Sequence, residues 1–405
     1  MTPLTGRPSA LALPVQERAW RWSQANLFSS RANSVLTVVT VAFMVFAGYQ
    51  VARFVFATAE WEVVEANRGL FFIGRFPRDE VWRVWVILHI ASALAGLSWG
   101  LWGSIGPRLG AIIAAALVPV YILLLDGNAL IWTTTCLATF MAGYLAGQVV
   151  DSTRLREASR AATVPAWLLG FAVSMYLLRE VPDRLWGGLL LTMVLAIVSI
   201  VLSFPFGVLL AIGRASTFPV IRLFCIVYIE VIRGVPLITV LFMAHFVLPL
   251  AMGADRDVFG FPVTGFGPSV VVRAMAGLTA FSAAYVAETV RGGLRAVPHG
   301  QIEAAQALGL GGVRILALIV LPQALRAVIP ALVGQFISLF KDTSLVVIIG
   351  VTELLRAAQV ASAQPAFAGL QAEALLFAAL LYWVVCFSMS RASQQIERNL
   401  AVSER

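Results

Sequence analysis

The sequence predicts an all-α polytopic membrane protein with about ten transmembrane helices, counted at about 20 apolar residues per bilayer core of about 30 Å. Three observations carry that prediction. Of 405 residues, 60% are hydrophobic and only 12% charged, and the mean hydropathy is +0.88, which leaves too little polar surface to cover a soluble globule of this size. Apolar stretches long enough to cross a bilayer recur from residue 34 to residue 390. The basic residues behind the net charge of +8 are dispersed in short loops between those stretches, a pattern that sets topology and builds no nucleic-acid-binding face.

The N-terminal 30 residues hold Arg7, Arg18, Arg21 and two tryptophans but no apolar core before Ser34, so no cleavable signal peptide is expected and the first span acts as its own insertion signal. Candidate spans follow at 34–57, 82–104, 109–126, 130–150 and 164–180, then at 186–211, 221–249, 269–290, 324–349 and 370–390. With the N-terminus inside, the inner segments carry seventeen basic residues and the outer segments ten. Lys and Arg accumulate on the cytoplasmic side, so ten spans place both termini in the cytoplasm. Between the first two spans, Thr58 to Val81 mixes Trp61, Phe71, Phe72 and Phe76 with Glu60, Glu62, Glu65, Arg68, Arg75 and Arg78. That composition fits either an amphipathic helix lying on the outer surface or an ordered loop.

Cys136, Cys225 and Cys386 lie far apart inside apolar runs and are expected to be buried free thiols. His89, His245 and His299 have no ligand partner at helical spacing, so no metal site is expected. Tryptophans near span ends, such as Trp82, Trp102 and Trp186, suit interface anchors. A composition shift at Val181-Pro182-Asp183 divides the chain into an accessory N-terminal membrane module of about five spans, residues 1–180, and a five-span core, residues 181–405, that holds every polar motif.

The most informative stretch runs from Gly300 and Gln301 through Glu303, Ala304 and Ala305 to Gly309, a polar insertion between two apolar segments with Leu321-Pro322 beyond it. Pro298 suits a first helical turn, the residues from Glu303 to Leu308 are strong helix formers and Gly309 can stop the helix. A short cytoplasmic helix near 298–309 is expected, with Ala304 and Ala305 forming a small face that another protein can approach and Pro322 marking entry into the next span. No Gly-x-x-x-x-Gly-Lys-Ser/Thr occurs, and Gly309 to Gly312 is followed by Val313-Arg314, so the chain has no phosphate-binding loop of that kind.

Glu-Ala-Ala, three residues, Gly and a following Leu-Pro resembles the signature of binding-protein-dependent ABC transporter permeases. Ser282-Ala283-Ala284-Tyr285, Glu288, Arg291-Gly292-Gly293-Leu294, Arg233-Gly234-Val235-Pro236 and Lys341-Asp342-Thr343-Ser344-Leu345 extend the resemblance to the polar amino acid uptake family. Val235 stands where that family usually has Thr, and the added N-terminal spans are similar to the longer permease of general L-amino acid transporters. The resemblance implies a type I ABC importer (MetI-like) core of five helices. It assigns Gly300, Gln301, Glu303, Ala304, Ala305, Gly309 and Pro322 to coupling with an ATPase.

Charged groups within spans mark pathways by default. Glu230 and Arg233, three apart, can neutralise each other, and Gly234 and Pro236 should break their helix, leaving either a structural ion pair at a kink or part of a substrate path. Lys341, the single lysine, forms a second candidate path element with Asp342, Thr343 and Ser344. Glu288 and Arg291 are expected to brace the coupling loop.

The implied function is that of a non-enzymatic subunit in an ATP-driven importer of polar L-amino acids across the bacterial inner membrane. Its partners would be ABC ATPases, a second permease identical or homologous to it, a periplasmic amino-acid-binding protein and the lipid membrane. No cofactor is expected on this chain, with ATP and Mg on the partner ATPase. The alternative is a secondary transporter that uses the same charges as an ion relay.

Overall fold

The computed structural model describes residues 15–102, 127–247, 257–258, 261–262 and 269–402, and the chain divides into two compact units, Met1–Trp61 and Glu62–Arg405. The expected span at 109–126 lies outside the described residues. In the first unit, α1 (Val15–Asn26) precedes α2 (Arg31–Arg53), which continues as a wider π-helical turn to Thr58. Ser30 caps α2 by accepting from the Asn33 amide. No side chain of α2 is buried within the chain, as befits a helix that is apolar on every face.

Among its described residues the second unit is helical apart from a hairpin of two two-residue strands, β1 (Asp257–Val258) and β2 (Phe261–Pro262). It starts with α3 (Glu62–Ala66) and α4 (Arg68–Ile73). These helices do not lie on a membrane surface with their apolar side in lipid. Val63, Val64, Phe71 and Phe76 are buried in the protein, Phe71 meets Phe377 edge-on with ring centroids 5.0 Å apart, and Gly74 bridges to Trp186.

Three long helices follow: α5 (Val81–Trp102), α6 (Gly127–Asp151) and α7 (Arg156–Leu178). Without a hydrophobic drive between helices in lipid, association depends on close backbone approach at small residues. Gly96 and Gly100 of α5 face Gly143 and Gly147 of α6. A Cβ on Gly147 would lie 2.6 Å from the Leu97 carbonyl oxygen and 2.8 Å from the Gly100 Cα. His89 also joins the pair: one ring nitrogen is held by the Trp85 carbonyl of its own helix at 2.7 Å and the other meets the Thr135 hydroxyl of α6 at 3.1 Å. Cys136 lies beside that ring and, like Cys386, is only half-buried; of the three thiols, Cys225 alone is buried.

Next come α8 (Gly188–Arg214), α9 (Pro219–Gly234), α10 (Leu237–Phe242), α11 (Val270–Ala296), α12 (His299–Ala307) and α13 (Gly312–Ile315). A π-helical turn carries α13 into α14 (Leu321–Asp342), a 3-10 stretch runs to Ile349, and α15 (Leu354–Ser362) and α16 (Gln371–Val402) finish the chain. Among the described residues, seven helices are long and apolar enough to cross a membrane, or eight if α9 and α10, bent by 112°, form one broken span.

The core is layered along the bundle. At one end Leu195, Leu241, Leu278 and Val346 pack together; midway come Ala211, Ile229, Val286 and Leu332; at the far end Val297, Ala305, Ile315 and Ala324 cluster beneath α12. The boundary expected at 180/181 falls within the second unit, where Phe76, Leu178, Val181 and Val194 form one apolar cluster.

Replacing Gly100 with Leu should overpack the α5–α6 contact and cost about 1–3 kcal/mol. The expected outcome is a lower Tm in detergent, and an unchanged Tm would refute the close-packing account.

Candidate functional site

Helix α12 begins directly after Pro298 and ends where Gly309 adopts φ +76. The Leu310 amide donates to the Ala305 carbonyl at 3.1 Å and the Gly309 amide to the Gln306 carbonyl at 2.9 Å. This pair of bonds is the Schellman stop, which favours glycine at its left-handed position. The sequence-predicted helix is therefore present with nearly the expected ends.

Its faces differ from the expectation. Ala305 is 2% exposed and packs inward with Val297, Ile315, Val320 and Ala324, so it seats the helix on its own chain and does not form a small face with Ala304. Gln301 adds a second tie by accepting from the Gln323 amide at 2.6 Å, next to Pro322 at the start of α14. The outward surface includes Gly300, Gln301, Glu303, Ala304, Gln306, Ala307 and Gly309. Beside it, Leu308 and Val313 are 81% and 82% exposed. Sequence reasoning passed over these two. A large apolar residue flanking a glycine turn in a polar loop is the signal that could have found them.

The charges of α9 are partnered differently from the helical-spacing expectation. Glu230 does not neutralise Arg233; its carboxylate meets Arg214 of α8 at 2.9 Å, while Arg233 approaches Glu288 of α11 at 3.6 Å and lies over the Tyr285 ring at 5.4 Å. Glu288 also receives Arg291 through two hydrogen bonds and Arg214 at 3.7 Å. Glu288 and Arg291 thus join a five-residue cluster with Arg214, Glu230 and Arg233 instead of bracing α12. Three cations and two anions meet beside the middle core layer, and the Glu230 side chain is 57% exposed.

Below this cluster the chain breaks as expected: α9 stops at Gly234, Pro236 precedes α10, and both residues are exposed. At the other candidate element, Lys341 is exposed, Asp342 and Ser344 are half-buried, and Thr343 is fully buried. The Thr343 hydroxyl donates to the Phe340 carbonyl at 2.6 Å and lies within hydrogen-bonding reach of Tyr382. Thr343 therefore belongs to the packed interior and lines no open path.

That interior holds a polar network the sequence reading missed. Glu353, 0% exposed, caps α15 by accepting from the Leu355 and Arg356 amides at 2.8 and 2.9 Å and receives the Tyr382 hydroxyl at 2.8 Å. Burial pushes its carboxyl above the ordinary range, against the opposing pull of the Leu355 amide, the Tyr382 hydroxyl and the Arg356 amide. Thr192 of α8 accepts from the Leu354 amide at 3.1 Å. The network binds α8, α15 and α16 at the end of the bundle opposite α12.

Residues 203–402 match the family described as binding-protein-dependent transport system inner membrane component. The chain is 38% identical over 414 residues to the inner membrane amino-acid ABC transporter permease protein YhdY of Escherichia coli (strain K12), covering 98% of this chain and 97% of that protein. It is 33% identical over 440 residues to the glutamate/glutamine/aspartate/asparagine transport system permease protein BztC of Rhodobacter capsulatus, covering 99% and 98%. A solved structure described as an amino acid ABC transporter with histidines is 28% identical, covers 56% of this chain and 97% of its own, and superposes with a TM-score of 0.45.

Glu288→Gln would leave three guanidiniums facing one carboxylate. It is expected to lower stability by about 1.5–3 kcal/mol, the range for hydrogen bonds to charged groups, while Glu230→Gln at its more exposed site costs less. Thermal unfolding of the two purified variants checks the order; equal Tm losses would contradict the central place of Glu288.

Proposed function

The chain belongs to the family of binding-protein-dependent transport system inner membrane components, and on that basis we propose that it is the permease subunit of an ATP-driven importer of polar L-amino acids. The observation that carries the coupling step is α12, a short helix seated on its own chain through Ala305 and Gln301 with Glu303, Ala304 and Leu308 turned outward. A partner ATPase that grips this surface pulls on α11 and α14 together, because the apolar cluster beneath α12 includes residues from the end of the first and the start of the second. ATP and Mg sit on that partner, and this chain contributes no catalytic group.

A second permease, identical or homologous, faces the charged side of the core. Charges exposed at membrane depth do not face lipid, and Glu230 and Lys341 are turned out of their own bundle, with Arg233 half-buried beside Glu230. Pooled between two permeases, carboxylates and guanidiniums answer both ends of a zwitterionic amino acid, and the carbonyls freed where α9 stops at Gly234 add acceptors for its ammonium. A periplasmic binding protein delivers the substrate at the end opposite α12, and in this reading α12 and both termini lie in the cytoplasm. Residues 181–405 perform this work, and residues 1–180 are accessory. Nucleotide and docked receptor favour the same global state of the pair.

Gly309→Asp places a β-carbon at φ +76 and a charge on the docking surface. Insertion should stay normal while ATP-coupled uptake in proteoliposomes falls to background; normal uptake would refute the coupling assignment. Uptake that survives ATP depletion and collapses with the proton or sodium gradient would favour the secondary transporter. Lys341→Met should reduce uptake to about a tenth of wild type, about 1.4 kcal/mol of barrier, if the ammonium lines the path. Wild-type rate and affinity would remove Lys341 from it.

A further inference from the structure

Between the helices that precede the permease core and α8 of the core lies an apolar cavity of ≈ 630 Å³. Its walls are the first halves of α5 and α8 and the second half of α7, with Thr133 of α6, and α4 covers it at the end opposite α12. Among the described lining residues Arg68 of α4 is the single charged one; its Nε donates to the Glu65 carbonyl at 3.0 Å and its guanidinium lies 3.7 Å from the Glu65 carboxylate, which is 73% exposed, and the hydroxyl of Ser174 is already committed to the Gly170 carbonyl at 2.7 Å. The lining along α5 runs from Val81 to Leu94, about 20 Å at 1.5 Å per residue, against about 15 Å for one leaflet's share of a hydrocarbon core about 30 Å thick.

We propose that this cavity is a binding site for one anionic phospholipid, its acyl chain running down the α5–α7–α8 crevice and its phosphate on the Arg68 guanidinium at the rim. Length, polarity and charge agree on that occupant. The crevice is as deep as a leaflet with room for a headgroup, is apolar along its depth, and has its one lining cation, Arg68, at the end where a headgroup would sit, where the phosphate would take the guanidinium from the solvent-exposed Glu65 carboxylate. A guanidinium fork matches phosphate geometry. The lipid would complete the packing between the preceding spans and α8, beside an α5–α7 contact where Gly170 of α7 touches α5 so closely that an added Cβ would lie 2.7 Å from Leu94 Cδ1.

The test is native mass spectrometry of the full chain after exchange from bicelles of equal phosphatidylglycerol and phosphatidylethanolamine into mild detergent. Wild type should retain one phospholipid, with phosphatidylglycerol enriched about fivefold, as a single cation near an anionic headgroup provides. Ala91→Phe, which fills the crevice from α5, should lose the adduct, and Met193→Trp, filling it from α8, serves if Ala91→Phe fails to fold. Arg68→Ala should keep the adduct but return the two lipids to equal amounts. A lipid-free wild type, an undiminished adduct in the filled variants, or unchanged enrichment in Arg68→Ala would overturn the proposal. So would a disulfide that forms, with no lipid adduct, between Ser174→Cys and a cysteine placed within 109–126, since that stretch would then occupy the crevice.

Discussion

A charge carried into the bilayer has to be met by an opposite charge or by water, and the permease core is organised around one such meeting, at Glu288. Its carboxylate gathers Arg214 from α8, Arg233 from α9 and Arg291 from its own helix. Paired buried charges gain little net stability over apolar packing, so the cluster is better understood as fixing which faces of three helices meet. Close packing supports that geometry: a Cβ on Gly207 would lie 2.5 Å from Val286, and the Tyr228 hydroxyl donates to the Ala280 carbonyl at 2.8 Å.

The cluster and α12 are parts of one continuous element. Glu288 lies eight residues before the end of α11, about 12 Å along the axis, and only Val297 and Pro298 separate α11 from α12. Ala305 then ties α12 to the entry of α14. Helix α12 is thus tied to both α11 and α14, while beyond the break after Gly234 helix α10 is held separately, by Leu237 and Leu241 in the apolar layer at the other end of the core. The buried Glu353 network fixes α8, α15 and α16 at the opposite end.

How much of this was legible in the sequence depends on the range of the interaction concerned. The extent of α12, its glycine stop and the break between Gly234 and Leu237 are decided by residues a few positions apart, and they could be read directly. The partner of Glu230 could not, because Arg214 reaches it only when the turn after α8 brings two helices together; the rule of three-residue spacing pointed to Arg233 instead. Ala305 reads as part of a smooth helical surface until the position of α14 is known. Glu353 looks like an ordinary helix cap, and its burial depends on Tyr382 on another helix. The segment 62–80 has the composition of a surface helix but buries its apolar residues against elements more than 100 positions away. The spacing of Gly96 with Gly100 and of Gly143 with Gly147 was available in the sequence as a close-packing signal.

The central claim is that α12 presents one face to an ATPase while Ala305 holds the other to its own chain. Single cysteines at Glu303, Leu308 and Ala305, in a chain otherwise without cysteine, can be tested in native membranes with a short bifunctional thiol-to-amine reagent. The account predicts an adduct with a nucleotide-binding subunit from positions 303 and 308 and none from 305. Adducts of equal yield from all three, or none from 308 in a complex that still transports, would contradict it.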